Sequence, residues 1–499
     1  MKMKIKVKDI GISSGGPFIS IINEKDALIL DLHALDRIKI KNGRKEITSV
    51  VDISRHVKGL DNGYLGLFEE PFAALNLKNN KIVNISLEKK PASIEFIRKK
   101  LDNKKLGKYE INEIIKDIVD NKLAETELTY FVAACYVNGL SDEETFYLTK
   151  SIVDNGKKLK INKKVIVDKH CSGGIPNNRT TLIIVPIIAA AGLTIPKTSS
   201  RSITSPAGTA DTFEALAKVE FPIKKIESIV KKTNACMVWT GSSSNGNLAG
   251  ADDKLIKVRN SLSLDPEGML LSSILAKKAA VGATHVLIDI PIGKFTKINS
   301  YKKALYLKNK FQKLGRKLNM KIKVIITDGS QPIGNGIGPN LEARDILYIL
   351  KRDKKAPKDL ENKSLYISSL ILEMVGIKNP ELKAKNILES GLAYKKMRQI
   401  IKEQSGNPNI GPNKLKIGKF KHDFRAHKSG VIKEINNSMI SKIARIAGAP
   451  IDKEAGIYLN VHKNARVNKN AVLFTIYSKD RKKLQFARSL LKRGVIKII

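Results

Sequence analysis

Cysteine is scarce in this chain. Three residues in 499, Cys135, Cys171 and Cys236, lie far apart with no CxxC pair. That spacing argues against a disulfide framework or a thiolate zinc site and for a reducing compartment, the cytoplasm. Seven histidines form no HxxxH-like cluster, so neither a metal nor any other cofactor is expected. No apolar run approaches the roughly 20 residues needed to span a bilayer. The start, MKMKIKVKDIGIS, alternates and holds no apolar signal core, so neither a membrane partner nor an export signal is expected. Acidic residues are also few, 48 against 90 Lys and Arg, a net charge of +42. The lysines are spread along the whole chain, not gathered into one arm or stripe. They read as a solvated basic surface, not a nucleic-acid interface, and their field would also attract small phosphorylated substrates.

What is present centres on Asp168–Leu216, DKHCSGGIPNNRTTLIIVPIIAAAGLTIPKTSSRSITSPAGTADTFEAL. Two small-residue loops, Cys171 to Asn178 and Ser199 to Thr209, flank the apolar run Leu182–Leu193. Each loop leads into a predicted helix, so backbone N–H groups and hydroxyls can converge on an anion at helix N-termini. Lys169 and Arg201 add positive charge beside the two turns. GxxxxGK[ST] is absent, which disfavours a nucleotide-hydrolase P-loop.

Residues 1–85 alternate in short runs, Ile5–Ile10, Phe18–Ile22, Ala27–Leu30, Ile38–Ile40 and Ile47–Ile53, broken by Gly15-Gly16, Asn42-Gly43 and Asp61-Asn62-Gly63. This predicts a small β-domain or barrel. From Pro91 to about Gly156 the period becomes helical. Ser141 and Glu144 match a capping box, and Gly139 suits the end of the preceding helix. Beyond it, strand patterns at Val165–Val167, Cys236–Val238, Val286–Ile290 and Lys323–Ile326 alternate with helical ones at Ser272–Val281 and Asn340–Leu350. That order predicts a parallel sheet. The turn at Gly334–Gly338 lacks GxGxxG spacing and reads as a structural loop. Short strands return at Gly430–Ile435, Gly456–Asn460 and Ala471–Tyr477.

Ser199-Ser200-Arg201 and Gly208-Thr209-Ala210-Asp211-Thr212-Phe213-Glu214 carry a resemblance. The segment resembles the thymidine/pyrimidine-nucleoside phosphorylases, whose signature runs through Ser-x-Arg and Gly-Thr-x-Asp-x-x-Glu. The phosphorylase body corresponds to about residues 86–499. The second loop and the extra N-terminal block are similar to the archaeal branch, which acts on nucleoside 5′-monophosphates. The resemblance implies an α/β chain: a small N-terminal β-domain (1–85), a helical domain (86–160, completed by about 255–282), a large α/β phosphate-binding domain with a mixed or parallel sheet (161–254 and 283–424), and a C-terminal α/β appendage (425–499). It implies reversible phosphorolysis of AMP, and also of CMP and UMP, to the free base and α-D-ribose 1,5-bisphosphate in nucleotide degradation. The alternative is a thymidine/pyrimidine-nucleoside phosphorylase. A homodimer or larger homo-oligomer is also implied.

Residue by residue, the resemblance points phosphate to Lys169, Thr180, Ser199 and Thr209, with the Gly173-Gly174 turn letting backbone approach it. It assigns the nucleotide to Gly174, Ser200, Arg201, Ser202, Ile203, Thr204, Ser205, Thr209, Ser273 and Lys297, and the proton donor to Asp265. Three hydroxyls and Arg201 suit a 5′-phosphate. Simpler roles compete: Thr209 and Asp211 as helix caps, Ser200–Ser205 as a polar hinge, and Asp265, before Pro266, as an N-cap. His170 is a rival acid, Lys277 lies near the base-binding segment, and Arg259 suits a pyrimidine base. Cys171 stands where the family often has Ser, and a thiol is a weaker donor. Direct attack by phosphate needs no covalent intermediate, so no nucleophilic role is assigned to it.

Overall fold

The computed structural model describes residues 2–55, 60–202, 205–241, 248, 250–261, 264–491 and 493–499. The chain divides into two compact units, Met1–Gly156 with Ala249–Ala276, and Lys157–Leu248 with Lys277–Ile499. The last of its three boundaries falls within helix Glu267–Ala280.

The first unit opens with a closed six-stranded barrel. Around it the order is Lys2–Asp9, Tyr64–Leu67, Ile19–Asn23, Lys45–Ser54, Arg37–Asn42 and Ile82–Glu88, with the last strand pairing back on the first. Period-two alternation sets the core: Ile5 and Val7 point inward while Lys4 and Lys6 are exposed. Ile22, Ile38, Ile40, Val51, Leu65, Leu67, Val83 and Ile85 complete it. The run Ala27–Leu30, counted among the alternating segments, is instead the end of a helix, Glu24–Ile29. Asn23 accepts from Lys25 N and caps it, a local bond that overrides the short apolar pattern.

Helices Ser93–Leu101, Lys108–Val119, Glu125–Val137 and Asp142–Asp154 follow. Gly250–Ser261 returns to pack on the second, third and fourth of them. The expected capping box is present: Glu144 N donates to Ser141 Oγ at 3.1 Å and Ser141 N to Glu144 Oε2 at 2.8 Å. Gly139, one residue past the Asn138 cap, holds φ +64. Glu144 has a second partner, since its Oε1 accepts from the buried Lys100 Nζ at 2.8 Å and from Leu106 N at 3.0 Å. These bonds hold its carboxyl below the ordinary range against the opposing effect of burial.

The second unit is built on parallel strands. Lys321–Asp328, His285–Ile292 and Val167–Cys171 form one sheet, Ile195–Ser199 and Ala235–Trp239 a second, and the bridge Ile166–Thr194 joins them. The first of the expected strands is displaced: it runs Val167–Cys171, not Val165–Val167, so Asp168, Lys169 and His170 stand on the sheet itself. The apolar run becomes helix Thr181–Ala190, buried from Thr181 through Ala189, as suits a helix apolar all round. It packs on helices Pro339–Leu350, Lys358–Met374, Pro380–Glu389 and Leu392–Glu403.

The C-terminal part adds strands Phe420–Arg425, Gly456–Leu459 and Val472–Ser478, with Gly430–Ile435, Arg466–Val467 and Ile496–Ile498 in a second sheet. The turn at Gly334–Gly338 supplies an edge strand, Gly336–Ile337, paired with Gly456–Leu459. No helix among the described residues is long and apolar enough to cross a membrane. The whole is an α/β chain with a small N-terminal β-domain, a helical layer, a large α/β domain and a C-terminal α/β appendage.

Glu144→Gln should lower the unfolding free energy by about 3–5 kcal/mol, because Lys100 is left charged and buried without its partner. The shift of the urea midpoint by circular dichroism measures this, and an unchanged midpoint would remove the pair from the cooperative core.

Candidate functional site

Strand Val167–Cys171 carries two charged layers on opposite faces, because successive side chains alternate. On one face Asp168, fully buried, meets Lys278 Nζ at 2.6 Å and Lys197 Nζ at 3.3 Å. Lys197 also donates to the Lys169 carbonyl at 2.8 Å. Burial opposes ionisation of Asp168, yet the two ammonium groups keep its carboxyl below the ordinary range. His170 shares this face. Burial, and then the charges of Lys278, Lys197, Lys277 and Lys169, push its imidazole well below 6.5, so the ring is neutral at pH 7.

On the other face Lys169, 1% exposed, donates to Thr180 Oγ1 at 2.9 Å, and burial lowers its pKa. Among the described residues no carboxylate pairs with Lys169. Cys171 lies beside Asp289 in register. Asp289 is 3.2 Å from Lys363 and accepts from Thr327 Oγ1 at 2.6 Å. Cys171 Sγ accepts from Asn178 Nδ2 at 3.1 Å and Gly173 N at 3.4 Å, so the thiol braces its own loop. Three lysines thus share two carboxylates while Lys169 has neither, and burial lowers the pKa of both Lys169 and Lys197.

The first loop leaves this strand through three residues with positive φ, Gly173, Gly174 and Asn177. Gly174 is required by contact as well as by φ +94, since a Cβ there would come 2.7 Å from Lys297 N. The fold therefore brings together Gly174 and the exposed Lys297. Ser172 Oγ and Asn177 Oδ1 are buried and have no hydrogen-bond partner among the described residues. Buried polar atoms without partners are uncommon and suit a ligand-binding loop.

The second loop is clasped from outside. Asp211 Oδ2 accepts from Ser202 N at 2.7 Å and Gly208 N at 2.8 Å. Helix Thr209–Phe213 has five residues, and Asp211 caps it, so the simpler reading of that carboxylate holds. Arg201 is 2.7 Å from Glu214, 3.0 Å from Glu220 and 3.3 Å from Asp211, and stacks over Trp239 at 4.7 Å. Its charge is engaged by three carboxylates. Ser202 Oγ lies 3.0 Å from Ser205 Oγ, and Ser205 Oγ donates to Ala207 O at 2.9 Å. Ser199, Ser200 and Thr209 are part-buried, and none of their hydroxyls is hydrogen-bonded among the described residues. Ile203 and Thr204 lie outside the described residues.

In the first unit Asp265 Oδ1 is 3.5 Å from Arg259 NH2, and Ser273 Oγ donates to Asp252 Oδ2 at 2.9 Å. The following helix starts at Glu267, so Asp265 precedes the cap position. Arg259 Nε is buried without a hydrogen-bond partner among the described residues. Sequence reasoning missed Lys197, Lys278 and the Asp289–Lys363 pair. The available signal was a lysine at an inward strand position, as in Ile195–Ser199, or within the apolar helix Glu267–Ala280.

A parallel sheet with small-residue loops at the strand ends, a basic cluster beneath them and a separate helical layer defines a glycosyl-transfer class of protein. Family models agree. Residues 94–156 match the glycosyl transferase family helical bundle domain, 163–279 its a/b domain, and 431–497 the pyrimidine nucleoside phosphorylase C-terminal domain. Anthranilate phosphoribosyltransferase from Thermus thermophilus has a similar fold, with TM-score 0.51 at 16% identity over 62% of this chain and 99% of that one. Similarity is far higher to AMP phosphorylase of Thermococcus sibiricus, 42% identical over 98% of this chain and 95% of the relative. AMP phosphorylase of Pyrococcus furiosus is 42% identical over 99% and 97%, and AMP phosphorylase 1 of Archaeoglobus fulgidus 39% over 95% and 93%. The chain belongs to the AMP phosphorylase family.

The Arg201 clasp predicts a pH effect. Glu214 is held down to about 2, first by its hydrogen bond to Arg201. A carboxyl lowered in the folded state stabilises above its unfolded value near 4.5, and that contribution disappears as pH falls toward 2. Melting temperature against pH should therefore fall more steeply between 4.5 and 2 for the parent than for Glu214→Gln. Parallel curves would count against the clasp.

Proposed function

We propose that the chain catalyses reversible phosphorolysis of nucleoside 5′-monophosphates, AMP and also CMP and UMP. A phosphate oxygen bonds to C1′ of the ribose, the C1′–N bond breaks, and the base leaves with a proton. The products are the free base and α-D-ribose 1,5-bisphosphate, and the enzyme is a pentosyltransferase of nucleotide degradation. The carrying observation is similarity of 39–42% to AMP phosphorylases across at least 95% of the chain, the barrel and second loop included.

In this reading Lys169 and the hydroxyls of Ser199 and Thr180 hold phosphate, and the unpartnered Ser172 Oγ supports that assignment. Gly174, Ser200, Ser202, Ile203, Thr204, Ser205, Thr209, Ser273 and Lys297 receive the nucleotide. Arg201 contributes by shaping the loop, since its guanidinium faces Glu214, Glu220 and Asp211. Asp265 gives the departing base its proton. His170 is the weaker candidate, because a ring kept neutral by burial and four lysines carries no extra proton to give.

The working division follows the sequence reading, with domains at 1–85, 86–160 with about 255–282, 161–254 with 283–424, and 425–499. A homodimer or larger homo-oligomer working in the cytoplasm completes the proposal. Exposed Tyr130, Tyr136 and Val137 on helix Glu125–Val137 support self-association.

Steady-state assays with phosphate and a substrate panel test the reading. AMP should exceed adenosine, and CMP cytidine, by about a hundredfold or more in kcat/KM, since two lost charge-assisted bonds are worth roughly 1.5–3 kcal/mol each. Equal efficiency on uridine and UMP would favour a pyrimidine-nucleoside phosphorylase instead. Asp265→Asn should depress turnover on every substrate, and Lys169→Ala should raise the phosphate KM and slow turnover. Replacing Ser202 and Thr204 by Gly should shrink the monophosphate preference alone.

A further inference from the structure

Helix Pro339–Leu350 carries two fully buried carboxylates three residues apart, Glu342 and Asp345. That spacing places both on one face of the helix. Glu342 Oε2 accepts from Arg179 Nε at 2.7 Å and from Thr212 Oγ1 at 2.6 Å. Arg179 sits between the first loop and helix Thr181–Ala190, and its NH2 donates to the Ala207 carbonyl of the second loop. Glu342 Oε1 takes Gly338 N at 3.4 Å, so the carboxylate is also tied to its own helix start. Asp345 Oδ2 accepts from Asn177 Nδ2 of the first loop at 2.9 Å, and from Asn335 N and Gly336 N at 2.8 and 2.7 Å. One helix therefore grips the first loop at Asn177 and, at Thr212, the short helix that follows the second loop, while Arg179 ties it to the second loop at Ala207.

We propose that Glu342 and Asp345 are positioning residues that use Arg179, Thr212 and Asn177 to fix the two substrate loops in one register. They touch neither substrate. The inference rests on the reading that the two loops between them hold inorganic phosphate and the nucleotide. Reaction between two bound partners depends steeply on their mutual placement, while each partner's own contacts set its affinity. Loosening the helix anchor should therefore slow the chemical step more than it weakens either substrate.

Kinetics of the full chain, well below the melting temperature, test this with AMP and inorganic phosphate. Glu342→Gln keeps the shape and removes the charge that holds Arg179. It should lower kcat about tenfold or more while both KM values stay within about threefold. Thr212→Val removes one bond to Glu342 while Arg179 still pairs with the carboxylate, and should lower kcat in the same pattern by a smaller factor. It remains testable if Glu342→Gln does not fold. Arg179→Lys retains the charge but reaches only one of its partners, and should also lower kcat. A purely structural role would lower the melting temperature with kcat unchanged, and that outcome in Thr212→Val or Glu342→Gln would overturn the proposal. A parent enzyme without AMP phosphorolysis would instead overturn the functional reading beneath it.

Discussion

Asp168 and Lys278 meet at 2.6 Å with no solvent reaching either side chain. Taking two ions out of water is unfavourable by several kcal/mol each, and only a tight pair offsets it. Here the offset is incomplete, because Lys197 shares the same carboxylate and Lys169 on the reverse face has a hydroxyl in place of an acid. Burial accordingly lowers the pKa of both Lys169 and Lys197, so holding these lysines charged is costly.

The described residues of the two loops are held by different means. The first is fixed by backbone geometry, through left-handed turns at Gly173 and Gly174 and bonds from Asn178 and Gly173 to the Cys171 sulfur. The second is fixed by charge, with Arg201 stacked on Trp239 and surrounded by Glu214, Glu220 and Asp211. A charge-built clasp responds to acid and salt more than a turn set by backbone geometry does. Loop preorganisation on rigid elements lowers the ordering entropy left to be lost when a ligand binds.

Much of this was legible from residue patterns. Alternation located the barrel because one face of each strand is dry, and Ile5, Val7, Ile38 and Ile40 all face inward. The Ser141–Glu144 cap and Gly139 were visible because their bonds are local. The resemblance through Ser199–Glu214 led to the family that full-length similarity establishes. Long-range electrostatics were not legible. Nothing in the sequence says that Lys197 and Lys278 meet Asp168, since they lie 29 and 110 residues away from it. The partners of Arg201 were hidden for the same reason: three acids lie beside it whose positions only the fold brings together. Ala27–Leu30 misled because four apolar residues suit a strand or a helix, and a single Asn23 bond decides.

The order in which the first unit's pieces leave the ribosome has a consequence of its own. The barrel closes when Ile82–Glu88 pairs with Lys2–Asp9, so it can be complete while most of the chain is unmade. The helical layer has no such luxury. Leu128, Phe131, Val132 and Cys135 on helix Glu125–Val137 belong to a layer whose last members, Gly250–Ser261 and the start of Glu267–Ala280, follow the whole stretch from Lys157 to Leu248. During synthesis a half-built apolar surface must wait for those segments, which makes the nascent helical layer, and not the barrel, the place where chaperones would act.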